Sequence, residues 1–179
     1  MPKPVLLLAC GNPSRGDDAL GPLLLEFVEA HCDSSEIELL TDFQLQIEHA
    51  LDLENRELVL FVDASVSCAD PFELTELEPA LDSSYTTHAM SPAAVMAVYR
   101  SIKKQPLPPC FLLGIKGESF ELGEGVSGNA GKNLQQACRF VEGLLDNPDL
   151  AVWRQLLPGR TGHVAPSAGF QGCIGISAS

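Results

Sequence analysis

Three short runs of almost entirely apolar residues constrain the fold of this chain most strongly. They occupy residues 5–9, 58–62 and 110–115. A run of this length is typical of a strand that is buried on both faces, and such strands occur in parallel sheets covered by helices. The first run ends before Gly11, and the second ends before Asp63.

Helical patterns separate these runs. The first presents apolar residues at positions i, i+3, i+4, i+7 and i+8, namely Leu20, Leu23, Leu24, Phe27 and Val28. Ser91 followed by Pro92 is typical of a helix start, and residues 129–145 predict a long final helix. Residues 37–40 predict a second strand, residues 47–53 a helix, and the alternating FELTELEP an exposed strand. The alternation predicts a single α/β domain with a twisted, mostly parallel sheet of about five strands between helices.

The chain changes character near its end. Residues 158–179 are rich in Gly, Ser, Ala and Pro and show no periodicity. We therefore expect the α/β domain to span residues 1–157, and residues 158–179 to form a flexible tail outside it.

Composition excludes several kinds of partner. The 179 residues carry a formal net charge of −13, which disfavours nucleic acid and anionic membranes. No apolar run reaches the roughly 18 residues that a membrane span requires. The six cysteines include no C-x-x-C pair, so neither a zinc knuckle nor a disulfide framework is predicted. These features favour a cytoplasmic protein.

Acidic residues follow the first three predicted strands. Asp17 and Asp18 come after the first, Asp42 after the second and Asp63 after the third. Ligands of open parallel sheets bind at the carboxyl ends of the strands, so these positions are candidate site residues. One of the Asp17/Asp18 pair could instead cap a helix, and Asp42 could be a turn residue. Asp63 ends an apolar strand, where an unpaired carboxylate is costly.

His88 precedes the helix that begins at Pro92, so it is expected to border the same edge of the sheet. Two carboxylates and an imidazole there would suit a borderline divalent metal such as nickel or zinc, or an acid/base pair, and the residues alone leave both open. Gly11 and Gly16 have the spacing of a phosphate-binding loop. Asp17 and Asp18 replace its Lys and Ser/Thr, which disfavours an anion site.

Four segments together resemble the hydrogenase maturation endopeptidases. LACGNPSRGDDALGPLLLEFV resembles the family's G-N-x-x-x-x-D-[DE]-G-x-G motif, and LVLFVDAS resembles its strand ending in V-D-A. THAMSP is similar to its histidine segment, and FELGEGVS to its E-L-G-x-G-[LV]-S element. The resemblance covers about residues 4–146, in the family's order. DFQLQIEHALDL is similar to variants that serve soluble NAD-coupled hydrogenases.

This resemblance implies an endopeptidase that removes the C-terminal peptide from the nickel-loaded precursor of a nickel–iron hydrogenase large subunit. The family's metal-contacting positions fall on Asp18, Asp63 and His88, and Asp18 and Asp63 are the implied catalytic residues. Nickel would be carried by the substrate, with no tightly bound cofactor in the free enzyme, and a monomer is implied. Ala19 stands where the family often has Gly, which is compatible with a helix beginning there.

Two other functions fit parts of the same pattern. A phosphate-handling hydrolase is disfavoured by the missing Lys of the first loop. A non-catalytic checkpoint for nickel loading, or a metallochaperone, would use the same ligands and stays open.

Overall fold

Five strands form one sheet in a computed structural model that describes residues 1–81 and 90–159. The strands are β1 (Val5–Cys10), β2 (Ile37–Asp42), β3 (Leu58–Ser65), β4 (Phe72–Glu76) and β5 (Cys110–Lys116). Their order across the sheet is β2-β1-β3-β5-β4. All neighbours pair in parallel except β4, which is antiparallel to β5 and forms one edge. The predicted single α/β domain with a mostly parallel sheet is confirmed.

Helices cover the sheet on both faces. They are α1 (Leu20–His31), α2 (Pro92–Ile102), α3 (Gly128–Asp146) and α4 (Leu150–Gln155), with short 3-10 helices at Gly16–Ala19 and Ile47–Leu53. Ser91 caps α2 by accepting a hydrogen bond from the Ala94 N–H, as its sequence predicts. Ser127 caps α3 in the same way, through the N–H of Ala130.

Alternate residues of each strand enter two separate cores. On one face α1, α3 and α4 bury a cluster that includes Leu7, Leu60 and Leu113. On the other face α2 and the 3-10 helix Ile47–Leu53 bury a cluster that includes Leu8 and Phe61. The central strands are buried on both sides, which explains why their sequences are continuously apolar.

The last described helix has no counterpart among the predicted elements. α4 is only six residues long, too short for a clear helical period. Its Trp153 is fully buried, packs edge-on against Phe111, and donates a hydrogen bond from Nε1 to the Leu144 carbonyl. Residues up to Leu157 therefore contribute to the core, whereas residues 160–179 of the predicted tail lie outside the described residues.

Two further features bear on the sequence-based expectations. No helix in the described part of the chain is both long and apolar enough to cross a membrane. The five cysteines of residues 1–81 and 90–159 are all free.

Ending the chain after Gly159 should leave the cooperative thermal transition near that of the full chain, because the removed segment is predicted to add little to the core. Ending it after Pro148 also removes Trp153, whose loss from a core costs about 3–5 kcal/mol. Differential scanning calorimetry of both truncations measures this. A large loss of melting temperature in the longer form would show that residues 160–179 belong to the folded domain.

Candidate active site

The parallel register brings the acidic strand ends to one edge of the sheet. Cys10 at the end of β1 pairs with Asp42 at the end of β2, and Ala9 pairs with Val62 of β3. Asp63 and the loop that follows β1 therefore lie side by side. The predicted convergence of the strand-end carboxylates is present.

The loop after β1 folds back so tightly that two of its residues must be glycine. Gly11 has φ +149°, and a Cβ atom there would overlap the carbonyl oxygen of Asp18. Gly16 has φ +53°, and a Cβ atom there would lie 2.5 Å from the carbonyl oxygen of Ser119. A side chain at either position would push the loop away from its contacts.

Asp17 is the only fully buried charged residue in the described part of the chain. Its carboxylate accepts N–H bonds from Glu118 (2.8 Å), Ser119 (3.0 Å) and Ser127 (2.7 Å), and one from the Ser127 hydroxyl (2.8 Å). Burial raises the pKa of Asp17, but these four donors outweigh it and hold the pKa below its ordinary value. Asp17 is therefore a buried anchor: its carboxylate fixes the loop after β1 to residues 118–127.

The interpretation of Asp17 or Asp18 as a helix cap is therefore wrong. The cap positions of the 3-10 helix and of α1 are occupied by Arg15 and Ala19. The donors to Asp17 come from a segment more than 100 residues away in the sequence. Ala19 has φ −74°, a helical conformation that alanine adopts without strain.

Residues 119–127, which include the segment FELGEGVS, hold the first loop in place through backbone hydrogen bonds. Backbone N–H groups of Gly16 and Asp17 donate to the carbonyl oxygens of Glu124 and Ser119, at 3.1 and 2.8 Å. The N–H of Gly123 donates in the other direction, to the Ser14 carbonyl, at 2.7 Å. This element thus positions the loop that carries Asp18.

Asp18 points to the edge of the sheet while its neighbour points inward. Its Oδ2 accepts a hydrogen bond from the N–H of Asn12 at 2.6 Å, and the residue is partly exposed. Because successive residues of a 3-10 helix are rotated by about 120°, an inward Asp17 directs Asp18 to a different side. One aspartate thereby anchors the loop, and the other is presented at its surface.

Asp63 lies at the exposed end of β3, directly after the buried Val62. Partial desolvation, followed by the charge of Asp18, raises the pKa of Asp63 to about 6, against a smaller opposing effect of the Ala64 N–H. Burial and the charges of Asp63, Asp42 and Asp18 likewise raise the pKa of the Cys10 thiol to about 12. The three carboxylates therefore share one electrostatic environment, and Cys10 is an unreactive packing residue, as predicted.

Asp42 is held by a histidine that the sequence analysis did not single out. Its Oδ1 accepts the N–H of Phe43 at 2.7 Å, and its Oδ2 lies 3.3 Å from Nε2 of His49. The N–H of Gln46 donates to Nδ1 of His49, which leaves Nε2 to carry the proton toward Asp42. Asp42 is the last residue of β2, and its side chain is held by contacts with Phe43 and His49.

His88 lies outside the described residues. The chain resumes at Met90, whose N–H donates to the carbonyl of Leu45 in the loop after β2. Met90 thus lies at the carboxyl edge, beside the segment that carries Asp42. Within residues 1–81 and 90–159 no three His, Cys, Asp or Glu side chains are grouped so that they could hold a metal ion.

Solved structures that share this fold include several hydrogenase maturation proteases. The chain is similar to the hydrogenase maturating endopeptidase HybD from E. coli, with 24% identity and a TM-score of 0.64 over 80% of this chain and 93% of that one. It is also similar to the [NiFe] hydrogenase maturation protease HycI from Thermococcus kodakarensis KOD1, with 21% identity and a TM-score of 0.61 over 80% and 92% of the two chains. A hydrogenase 2 maturation peptidase from Thaumarchaeota archaeon SCGC_AB-539-E09 gives 20% identity and a TM-score of 0.57 over 80% and 98%.

No protein-family model and no curated protein matches the sequence. The structural likeness, at these identities, establishes the fold. The fold that the sequence resemblance implied, a twisted sheet between helices, is confirmed.

Asp17→Asn should lower the melting temperature on the order of 10 °C, because an amide cannot accept from all four donors and each unsatisfied buried group costs about 1–3 kcal/mol. The depressed pKa of Asp17 contributes stability above its unfolded value, near 3.9, and this contribution is lost as the pH falls through the folded value. The difference between variant and wild type should therefore shrink in acid.

Thermal melts of Asp17→Asn at several pH values measure this effect. Asp146→Asn, at the exposed end of α3, is the matched control and should stay within about 0.5 kcal/mol of wild type. An equal effect of both substitutions would contradict the anchoring role of Asp17.

Asp63→Asn should raise the melting temperature at neutral pH. The pKa of Asp63 is about 6 in the fold and near 3.9 in the unfolded chain, so ionising this group costs stability as the pH rises through that window. Asparagine removes the cost, and the gain should vanish below about pH 4. A destabilised variant at neutral pH would show instead that the carboxylate supports the fold.

Proposed function

We propose that the protein is an endopeptidase that removes the C-terminal peptide from the nickel-loaded precursor of a hydrogenase large subunit. The observation that carries this proposal is that Asp63 and the loop bearing Asp18 lie at the same carboxyl edge, in a fold shared with hydrogenase maturation proteases. The proposed function gives a reason for two like charges to lie near each other although the charge of Asp18 disfavours the ionised form of Asp63.

The nickel of the precursor is the proposed target of Asp18, Asp63 and His88. Carboxylate oxygens and an imidazole nitrogen are suitable donors for a borderline divalent metal. Asp18 and Asp63 lie at the edge where Met90 also lies, and His88 precedes Met90 by two residues in the sequence. Cys10 offers no thiolate, since its pKa is about 12. The nickel enters and leaves with the substrate.

Asp63 is the proposed general base. A carboxyl group with a pKa of about 6 is largely ionised at neutral pH, yet it is a stronger base than an ordinary carboxylate. In the proposed reaction Asp63 takes a proton from water, and the water oxygen forms a bond to the scissile carbonyl carbon. The carbon–nitrogen bond then breaks, and the leaving amine receives the proton. Asp18 holds the substrate beside this carboxyl group.

Docking of the precursor at this edge of the sheet would account for a requirement that the precursor carry nickel. The clustered carboxylates repel one another, and a cation delivered by the precursor relieves that repulsion. A precursor without nickel brings no such charge. The proposed partner is therefore the hydrogenase precursor, met in the cytoplasm by a monomeric enzyme.

Asp63→Asn should slow cleavage by at least about hundredfold, the usual contribution of a general base, and Asp18→Asn should slow it because a proposed substrate contact is lost, while both variants stay folded. His88→Ala should weaken precursor binding more than it lowers the melting temperature. The assay mixes the protein with nickel-loaded or apo precursor and weighs the products by mass spectrometry. Wild type should cut only the loaded form.

Two outcomes would change the conclusion. Binding of loaded precursor without any cleavage would indicate a non-catalytic checkpoint or a metallochaperone. Efficient cleavage of apo precursor, or stoichiometric metal in the purified free protein, would contradict recognition through nickel borne by the substrate.

A further inference from the structure

Two cavities border the loop 66–71 between β3 and β4. Cys68 lines the smaller one, of about 290 Å³, which contains Asp63. Pro71 lines the larger one, of about 470 Å³, together with residues 116–118 at the end of β5 and the first turns of α3. We call the larger one the α3 cavity. It has no part in the reaction proposed above.

Three carboxamide side chains of α3 line this cavity, namely Asn129, Asn133 and Gln136. Their spacing of i, i+4 and i+7 puts them on one face of the helix. Nδ2 of Asn133 donates to the Lys116 carbonyl at 2.9 Å, which holds this side chain against the end of β5. In the described part of the chain, Oδ1 of Asn133 and the carboxamide of Gln136 have no hydrogen-bond partner. These groups are therefore available to a ligand.

The charged groups of the α3 cavity are of both signs. Asp70 and Glu118 contribute two carboxylates, and Lys116 and Lys132 contribute two ammonium groups. Nζ of Lys116 donates to two carbonyls of the loop 66–71, at 2.5 and 3.3 Å, so its charge is already engaged. An inorganic phosphate would face both carboxylates, which disfavours it as a ligand. The described residues also group no three side chains that could hold a metal ion.

The main chain of an extended peptide suits this lining. A carboxamide both donates and accepts hydrogen bonds, as a peptide group does. From Asn129 to Gln136 the three carboxamides span about 10 Å along the helix axis, which is the length of about three residues of extended chain. A purely apolar molecule would leave the carboxamides and the charged groups without partners.

The α3 cavity lies within reach of Asp63. Lys116 pairs with Ser65, which is two residues beyond Asp63 on β3. One strand spacing and two residues put the backbones of Asp63 and Lys116 about 8 Å apart. Val66, at the start of the loop between them, is 63% exposed. About three extended residues are therefore enough to lead from a peptide bond beside Asp63, past Val66, into the cavity.

We propose that the α3 cavity is an exosite that binds the main chain of the precursor's C-terminal peptide, a few residues beyond the scissile bond, through Asn133 and Gln136. This inference rests on the proposed peptidase function. The retained part of the precursor carries the nickel that meets Asp18 and Asp63, so the segment that leads away from this edge is the C-terminal peptide. Because the contacts are made to peptide groups, binding should not depend on the side chains of that segment.

The test varies the C-terminal peptide of nickel-loaded precursors. The natural form is compared with a short form that ends two residues past the scissile bond, and with a full-length form whose sequence is scrambled from the third residue onward. Wild type should cut the natural and scrambled forms alike, and the short form with at least about fivefold lower kcat/KM, because hydrogen bonds to the exosite are lost. The loss should appear in KM, since contacts remote from the reacting atoms are the same in the ground state and the transition state.

Gln136→Ala should raise KM for the natural precursor and reduce the difference between the natural and short forms, with kcat unchanged. The matched control is Gln135→Ala, the same substitution at the next residue of α3, which is exposed and does not line the cavity. It should keep the wild-type dependence on peptide length. Alanine is a good helix former, so neither variant should melt below wild type.

The outcomes separate the two proposals. The exosite is wrong, and the peptidase function stands, if wild type cuts the short form as well as the natural one or the scrambled form as poorly as the short one. The same conclusion follows if Gln136→Ala and Gln135→Ala behave alike. If wild type cuts none of the loaded precursors, the peptidase function falls, and the exosite falls with it.

Discussion

The buried carboxylate of Asp17 is the interaction on which the candidate site depends. A charge without solvent is tolerable only when hydrogen bonds replace its hydration, and four donors from the segment 118–127 do so. One of them, Ser127, also caps α3. The same contacts therefore fix the loop after β1, the segment around it and the start of a core helix. Because Asp18 follows Asp17 directly in the chain, these contacts also determine where Asp18 lies.

Asp17 and Asp63 carry the same chemical group, but their surroundings shift its pKa in opposite directions. Donors lower the pKa of Asp17, so its ionised form stabilises the fold. Asp63 is partly desolvated next to another carboxylate, its pKa rises to about 6, and ionising it works against folding. A group kept ionised at a cost in stability is more consistent with chemistry than with structure. The environment thus distinguishes an anchor from a reactive candidate.

Sequence patterns predicted the sheet, the main helices and the edge where the acids meet, because apolar runs and strand-end positions are local features. The function of Asp17 was not predictable, since its donors lie over 100 residues away. The His49–Asp42 contact was missed for a related reason, because it depends on how the segment after β2 folds back onto the strand end. α4 was missed because six residues show no clear period. The role of Asp18 and Asp63 as metal contacts, together with His88, stays a prediction.

Under the proposed function, the charge of the substrate influences the ionisation of the Asp63 carboxyl group. The pKa of Asp63 is raised by desolvation and by the negative charge of Asp18, so a cation at this edge acts against the second cause. Nickel beside Asp18 would favour the ionised form of Asp63 that a general base requires. The carboxyl group of Asp63, largely ionised in the free enzyme at neutral pH, would then stay ionised to lower pH when the nickel of the substrate lies beside it. The preference for nickel-loaded substrate and the ionisation of Asp63 would then both depend on the repulsion between Asp18 and Asp63.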